Sequence, residues 1–339
     1  MRSEAAKPAT IYDVARAAGV SHQTVSRFLK GYEGIRAETR TRVMDALREL
    51  DYRPNLTARS LTTGRSHRIA ALTHEISQVG PSKILEAVNA AAREAGYLLD
   101  VITLDAHDPA AIQESIDLAL QYDLAGVLAL SSTDEMAHAF KSTVFRVPSY
   151  IVAISDDEFG PEGTHDGVGY AELLEHLAGL GHTDVMHIAG PPSWVSGRNR
   201  SREYDAAVAS AGMRSRGTAH GDWSARSGYQ AVMDLPPELP ATAFVAANDQ
   251  MALGAMLAMH ERGYRVPDDV SVTGVDDIPE AAYFAPPLTT LRVDFQSGGR
   301  DAFLQLLAAI EGTEPPSRPA FTAELVIRKS TGPAASRQP

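Results

Sequence analysis

The chain has 339 residues, 44% hydrophobic and 22% charged, with no cysteine and a formal net charge of −12. That composition builds two or three packed units, and it excludes disulfide scaffolds, thiolate metal sites, iron–sulfur clusters and cysteine nucleophiles. No apolar run approaches the roughly 20 residues of a membrane span. The opening segment lacks the uninterrupted apolar stretch of a secretory signal, so a cytoplasmic chain is expected.

The charge is unevenly spread. Residues 1–68 carry 13 Lys and Arg against 7 Asp and Glu, a net of +6; residues 69–339 carry 18 against 36, a net of −18. A basic head on an acidic body points to an anionic partner for the head alone. A merely solvated basic surface is the plainer alternative.

Thr10-Ile11-Tyr12-Asp13 has the spacing of a capping box, so a helix starts at Ile11, with Ile11, Val14, Ala15 and Ala18 on one face and Gly19 turning the chain. Ser21 caps a second helix, His22 to Leu29, whose Val25, Phe28 and Leu29 face inward and whose His22, Gln23, Ser26 and Arg27 face outward. Two short helices across a tight turn describe a helix-turn-helix. A third helix runs from about Ala37 to Leu50 without a good N-cap, with Arg36, Arg40, Arg42 and Arg48 available to phosphates. Pro54 ends it, and Asn55 can cap a short helix from Leu56 to Leu61 that is too short to hold alone in water.

TIYDVARAAGVSHQTVSRFLKG, followed by ETRTRVMDALRELDYRPNLTARSL, resembles the DNA-binding head and hinge helix of the LacI/GalR family of bacterial repressors. The resemblance implies that the second helix lies in the major groove, with His22, Gln23 and Arg27 at base edges, a role that suits Gln toward adenine and Arg toward guanine. Thr10, Ser21, Thr24, Tyr52, Asn55 and Ala58 are then expected on the DNA backbone or groove. Leu61 stands where the family's hinge leucine wedges between base pairs in the minor groove; packing on the body is its alternative.

From Ile69 onward, short apolar runs alternate with amphipathic stretches, the pattern of parallel sheets covered by helices. Two doubly wound units in tandem make a ligand cleft at their strand ends. No phosphate-loop, GxGxxG, GxSxG or HExxH motif interrupts them. His165, Asp166, His176, His182 and His187 lack metal spacing, so surface or cap roles are expected of them. The reading is therefore no enzyme, no metal and no cofactor.

HIAGPPSWVSGRNR, GDWSARSGYQ, VAANDQMALGAM, DVSVTGVDD and PPLTTLRVDF are similar to the family's core, itself like the periplasmic sugar-binding proteins. By that resemblance Arg200, Asn248 and Asp276 hold ligand hydroxyls, Trp223 lies against a sugar ring and Phe295 walls the cleft. Guanidinium, carboxylate and amide groups suit adjacent hydroxyls, and Asp276 beside Arg200 would pair two buried charges. As alternatives, Asp276 and Asn248 cap helices and Trp223 is plain core. Ala106, Leu130, Ala153 and Val293 stand where a sugar-binding member has polar lining, which implies a wider, more apolar far end built from His74, Gln78, Pro81, Ile84 and Trp194.

The fold expected is a small all-α helix-turn-helix head, 8–54, a hinge helix and linker, 55–67, and an α/β core, 68–332, of two doubly wound parallel-sheet subdomains. One subdomain takes about 68–161 and 294–319, the other about 162–293 and 320–332, with a disordered tail at 333–339. The function implied is a nucleoid-associated repressor of a carbohydrate operon that binds palindromic double-stranded operator DNA as a homodimer, released by a glycoside or disaccharide. A purine corepressor is the main alternative, weakened because Trp194 falls where purine-binding members have an arginine; a sugar-binding protein without regulatory role is the other. The dimer interface is expected to include the helix Pro81 to Gly96 with its stripe Ile84, Val88, Ala91 and Ala92, which could instead be core. No heptads follow Lys329, so a tetramer is not expected.

Overall fold

The computed structural model describes residues 9–29, 31–52, 65–105, 108–153, 169–317 and 322–335. Contacts divide the chain into two compact units, residues 1–67 and 68–339.

The first unit holds α1 (Ile11–Ala18), α2 (His22–Leu29) and α3 (Ala37–Glu49). The Asp13 amide donates to Thr10 Oγ1 at 3.3 Å while Asp13 Oδ2 accepts from the Thr10 amide at 2.9 Å, a complete capping box. Gly19 closes α1 at φ 63°, a left-handed conformation that a side chain would strain. The helices bury Val14, Ala15, Ala18, Val25, Val43 and Ala46 together. α3 begins at Arg36 with no side-chain cap, as expected.

The second unit contains two sheets. In chain order come β1 (Arg68–Thr73), α4 (Val79–Glu94), β2 (Leu98–Thr103), α5 (Pro109–Ala119), β3 (Gly126–Ser131), α6 (Asp134–Ser142) and β4 (Ser149–Ala153), a parallel sheet ordered β2-β1-β3-β4. Then follow α7 (Tyr170–Gly179), β5 (Asp184–Ala189), α8 (Val195–Ser210), β6 (Arg214–His220), α9 (Ala225–Met233), β7 (Ala243–Ala246), α10 (Asp249–Glu261), β8 (Ser271–Val275), β9 (Thr289–Val293), α11 (Phe295–Glu311) and β10 (Ala323–Val326). The second sheet is ordered β10-β9-β8-β7-β5-β6 and is parallel except for antiparallel β10 on β9.

Strand residues alternate between faces. Ala70 and Leu72 pack on α5 and α6 with Ile112, Ile116 and Phe140, whereas Ile69 and Ala71 pack on α4 and α11 with Val88, Phe303 and Leu306. α11 therefore returns the chain to the first sheet before β10 rejoins the second. Phe244 and Ala246 meet α10 on one face of the second sheet, and Val185, Val245 and Val275 meet α7 and α8 on the other.

Two expectations change. Val88, Ala91 and Ala92, offered as a dimer surface, are core beneath α4, and Ile84 packs partly buried against the same cluster. The tail is tied down past residue 332, since the Ala334 amide donates to Leu180 O at 2.9 Å. Asn55, Ala58 and Leu61, the hinge residues, and Ala106 lie outside the described residues, as do His165 and Asp166.

Candidate functional site

On the head, His22, Gln23 and Arg27 project from α2 and are exposed, while Val25 beneath them is buried. The Ser21 hydroxyl accepts from the Thr24 amide at 3.2 Å and lies 2.9 Å from the Thr24 hydroxyl, so both side chains hold the start of α2. Thr10 likewise serves the cap of α1. Tyr52 is half-buried against the head's core. Sequence reasoning missed Tyr12 and Tyr32, both exposed aromatics beside the residues expected at base edges: Tyr12 stands 5.2 Å from the His22 ring, and the Arg27 guanidinium lies 5.7 Å above Tyr32. Their signal was the interleaving of tyrosine with basic residues.

In the body, the end of β8 and the start of α8 bring Asp276 and Arg200 together. Arg200 Nη2 donates to Asp276 Oδ1 at 2.9 Å, with side chains 5% and 6% exposed, and Nη1 donates to Ala247 O. Burial without the pairing would be costly to either charge. Asp276 adopts φ 108° and Asp277 φ 49°, sparsely populated conformations held by their surroundings. Arg292 and Arg328 grip Asp277 at 2.8 and 2.6 Å, and the Ile278 amide donates to Asp249 Oδ2 at 2.8 Å. Asp249 is fully buried, and burial followed by the nearby Asp276 carboxylate pushes its own carboxyl well above the ordinary range.

The Arg200 guanidinium also lies 5.5 Å from the Trp223 ring centroid. Asn248 caps α10, accepting from the Met251 amide at 2.9 Å, and its Nδ2 donates to Trp223 O and Gln250 Oε1. The capping alternative thus describes its present contacts. Trp194 stands at the start of α8, between Trp223 and His74. Gln78 precedes α4, Pro81 lies in that helix's first turn, and Phe295 packs near Gly80 in the cluster that includes Val79 and Ile84.

A cavity of about 710 Å³ is lined by residues of both halves, among them Val79, Lys83, Gln250, Asp276, Ile278, Arg292 and Phe295. Of the expected effector residues, Asp276 and Phe295 line it. Arg200 adjoins it through Asp276, whereas His74, Trp194 and Trp223 form a separate aromatic group beside Arg200. Gln250, Ile278 and Arg292 were missed; only Gln250 had a sequence signal, its place two residues after Asn248.

Two of the histidines expected at the surface, His182 and His187, are buried instead, and His176 is half-buried. His182 is buried and bonded to Thr242 Oγ1, Ser271 Oγ and Gly332 O, and His176 is 3.0 Å from Thr331 Oγ1. His187 is fully buried, stacked 4.3 Å from Tyr204, and burial, with His220 and Arg200 nearby, brings its pKa down to about 3. No helix among the described residues is long and apolar enough to cross a membrane.

Comparison with known proteins agrees with this fold. Residues 10–55 match the bacterial regulatory proteins of the lacI family, and residues 174–331 match a periplasmic binding protein-like domain. The lactose operon repressor of Escherichia coli (strain K12) is 35% identical over 334 residues, 96% of this chain and 91% of its own; a solved lac repressor dimer bound to operator and the anti-inducer ONPF superposes with TM-score 0.82 at 34% identity, covering 96% and 100%. The transcriptional repressor PurR of Haemophilus influenzae (strain PittEE) is 30% identical over 338 residues, 95% and 98% of the two chains. The transcriptional regulator CelR in complex with cellobiose is 27% identical with TM-score 0.67, covering 95% and 99%. With a helix-turn-helix head, two α/β sheets and a relative 35% identical across 96% of this chain, the protein belongs to the LacI family: a DNA-binding transcriptional regulator with an effector-binding domain.

Proposed function

We propose that the chain represses a carbohydrate-utilisation operon in the cytoplasm, binding a palindromic operator as a homodimer and leaving it when a glycoside or disaccharide enters the body's cleft. The observation that carries the sugar reading is the buried Arg200–Asp276 pair at the edge of a 710 Å³ cavity, with Trp223 over the guanidinium. A guanidinium and a carboxylate held side by side engage vicinal hydroxyls as donor and acceptor at once. The likeness to the CelR–cellobiose complex supports a disaccharide-sized ligand.

On the head, His22, Gln23 and Arg27 read base edges, while Thr10, Ser21, Thr24 and Tyr52 set the helices on the DNA backbone. The two-fold symmetry of a palindrome calls for two heads. Asn55, Ala58 and Leu61 carry the hinge contacts in this reading.

The likeness to PurR favours a second reading, a purine corepressor. Against it, Trp194 offers one N–H where base recognition needs several directed hydrogen bonds. Operator gel shifts with lactose, cellobiose, melibiose, hypoxanthine and guanine decide between them. Release by a sugar is expected; operator binding that strengthens with a base and ignores every sugar would overturn the sugar reading.

A further inference from the structure

The chain has two tryptophans; Trp223 lies against Arg200 and Trp194 against Trp223, and neither lines the cavity. Trp194 belongs to the second sheet's half but rests on the first. Its ring lies 4.6 Å from His74, which follows β1, at 51°. Its backbone forms a β-bridge with Thr133, the Val195 amide donates to Ser132 O at 3.1 Å, and Arg198 pairs with Asp134 at 2.8 Å. Its other side meets Trp223 edge-on at 5.8 Å. Both indoles are about 95% buried, so they are closed against one another with no slot between them for a ring.

Three features set Trp223 apart from an ordinary core tryptophan. Gly190 leaves room for its indole where any side chain would collide, and its backbone takes φ 70°, a left-handed conformation unusual for an aromatic residue. Its buried Nε1–H has no acceptor among the described residues. A buried indole N–H without a partner is costly, and buried tryptophans usually find one.

We propose that Trp194 is a displaceable internal occupant of the effector site: a ligand takes the place its indole holds against Trp223, accepts a hydrogen bond from Trp223 Nε1, and parts the Trp194–His74 contact between the two halves. This rests on the cleft being the effector site. The ligand it fits is a ring with an apolar face for Trp223 and acceptor oxygens at its rim, the chemistry of a pyranoside. Ligand binding is thereby coupled to the seam between the sheets, because the tilted ring contact of Trp194 with His74 ties one half to the other.

The test is ¹⁹F NMR of the full chain carrying 5-fluorotryptophan, whose two resonances are assigned with Trp194→Phe and Trp223→Phe. The probes are cellobiose, lactose and melibiose, with hypoxanthine and guanine as the other arm, and calorimetry records binding independently. Whichever compound binds, both resonances are expected to move, with Trp194 gaining the solvent isotope shift of an exposed ring. Without ligand, His74→Ala is expected to displace the Trp194 resonance. A compound that binds while the Trp194 resonance stays fixed overturns the proposal, as does a chain that binds none of the five. If only a base binds, the carbohydrate reading fails, and the Trp194 resonance still decides whether the indole is displaced.

Discussion

At the residue scale, Arg200 concentrates the most consequence. It answers the Asp276 carboxylate, the Ala247 carbonyl and the Trp223 ring together. Removing one member of a buried pair leaves the other charge uncompensated, typically about 3–5 kcal/mol. Arg200→Ala is therefore expected to destabilise the body by several kcal/mol in denaturant unfolding and to abolish effector response in operator titrations. Operator binding without effector should persist, because the head has its own core. His187 yields a pH prediction. Its ring is held neutral down to about 3, against 6.5 when exposed, so the unfolded chain binds the extra proton between those values and stability falls as pH drops from 6.5 toward 3. From pH 7 to pH 5 that amounts to about 2 kcal/mol. His187→Phe should remove this part of the pH dependence in urea titrations at pH 7 and pH 5, whatever it does to absolute stability; an unchanged slope would refute the assignment. Nothing local in DVMHIA announces a buried histidine. Tyr170 and Tyr204, from α7 and α8, create its pocket, and a non-local pocket leaves no trace in spacing.

At the element scale, what could be read from sequence was what is determined locally. Thr10, Asp13 and Gly19 fix the ends of α1 within one turn, so the capping box and the left-handed stop stand where the sequence placed them. α4 was ambiguous because its Val88, Ala91 and Ala92 face suits either a core or a partner. The choice is made by α11, more than 200 residues later, whose Gly299 comes so close to the Ile84 carbonyl that a side chain would collide. The site divides similarly. The motif segments alone single out Arg200, Asn248 and Asp276 as candidates, whereas Trp194 against His74 depends on how the two halves meet. A comparable close approach joins α9 and α10: a methyl group on Gly254 would overlap the Ala225 carbonyl, and one on Gly228 would overlap the Met251 backbone. Gly254→Ala is thus expected to destabilise the body by about 1–3 kcal/mol through overpacking, read as a lower Tm, despite alanine's better helix propensity. A rise in Tm would mean that the two helices can slide apart at little cost.

At the scale of the whole molecule, the net charge of −12 is the sum of a head at +6 and a body at −18. Operator binding neutralises phosphates with the head's cations and releases counterions, so log K falls with log salt by about 0.9 for each phosphate neutralised. The acidic body adds no cationic surplus to that slope, and its own field should discourage non-specific contact with DNA. In the head, Arg40 lies 5.8 Å over Phe28 and is held near α2; in the body, Arg216 is engaged by Asp184 at 2.6 Å on the edge strand β6. Arg40→Gln is expected to lower the salt slope of operator binding by about 1 and to weaken binding similarly across operator sequences, as loss of a phosphate contact does. Gln23→Ala should instead cost about 1–3 kcal/mol at one base position and leave the slope intact. Arg216→Gln should change neither quantity. Fluorescence anisotropy on a labelled operator from 50 to 300 mM salt separates the three outcomes. A slope that responds to Arg216 would place the acidic body on the DNA and overturn the division of labour between the two units.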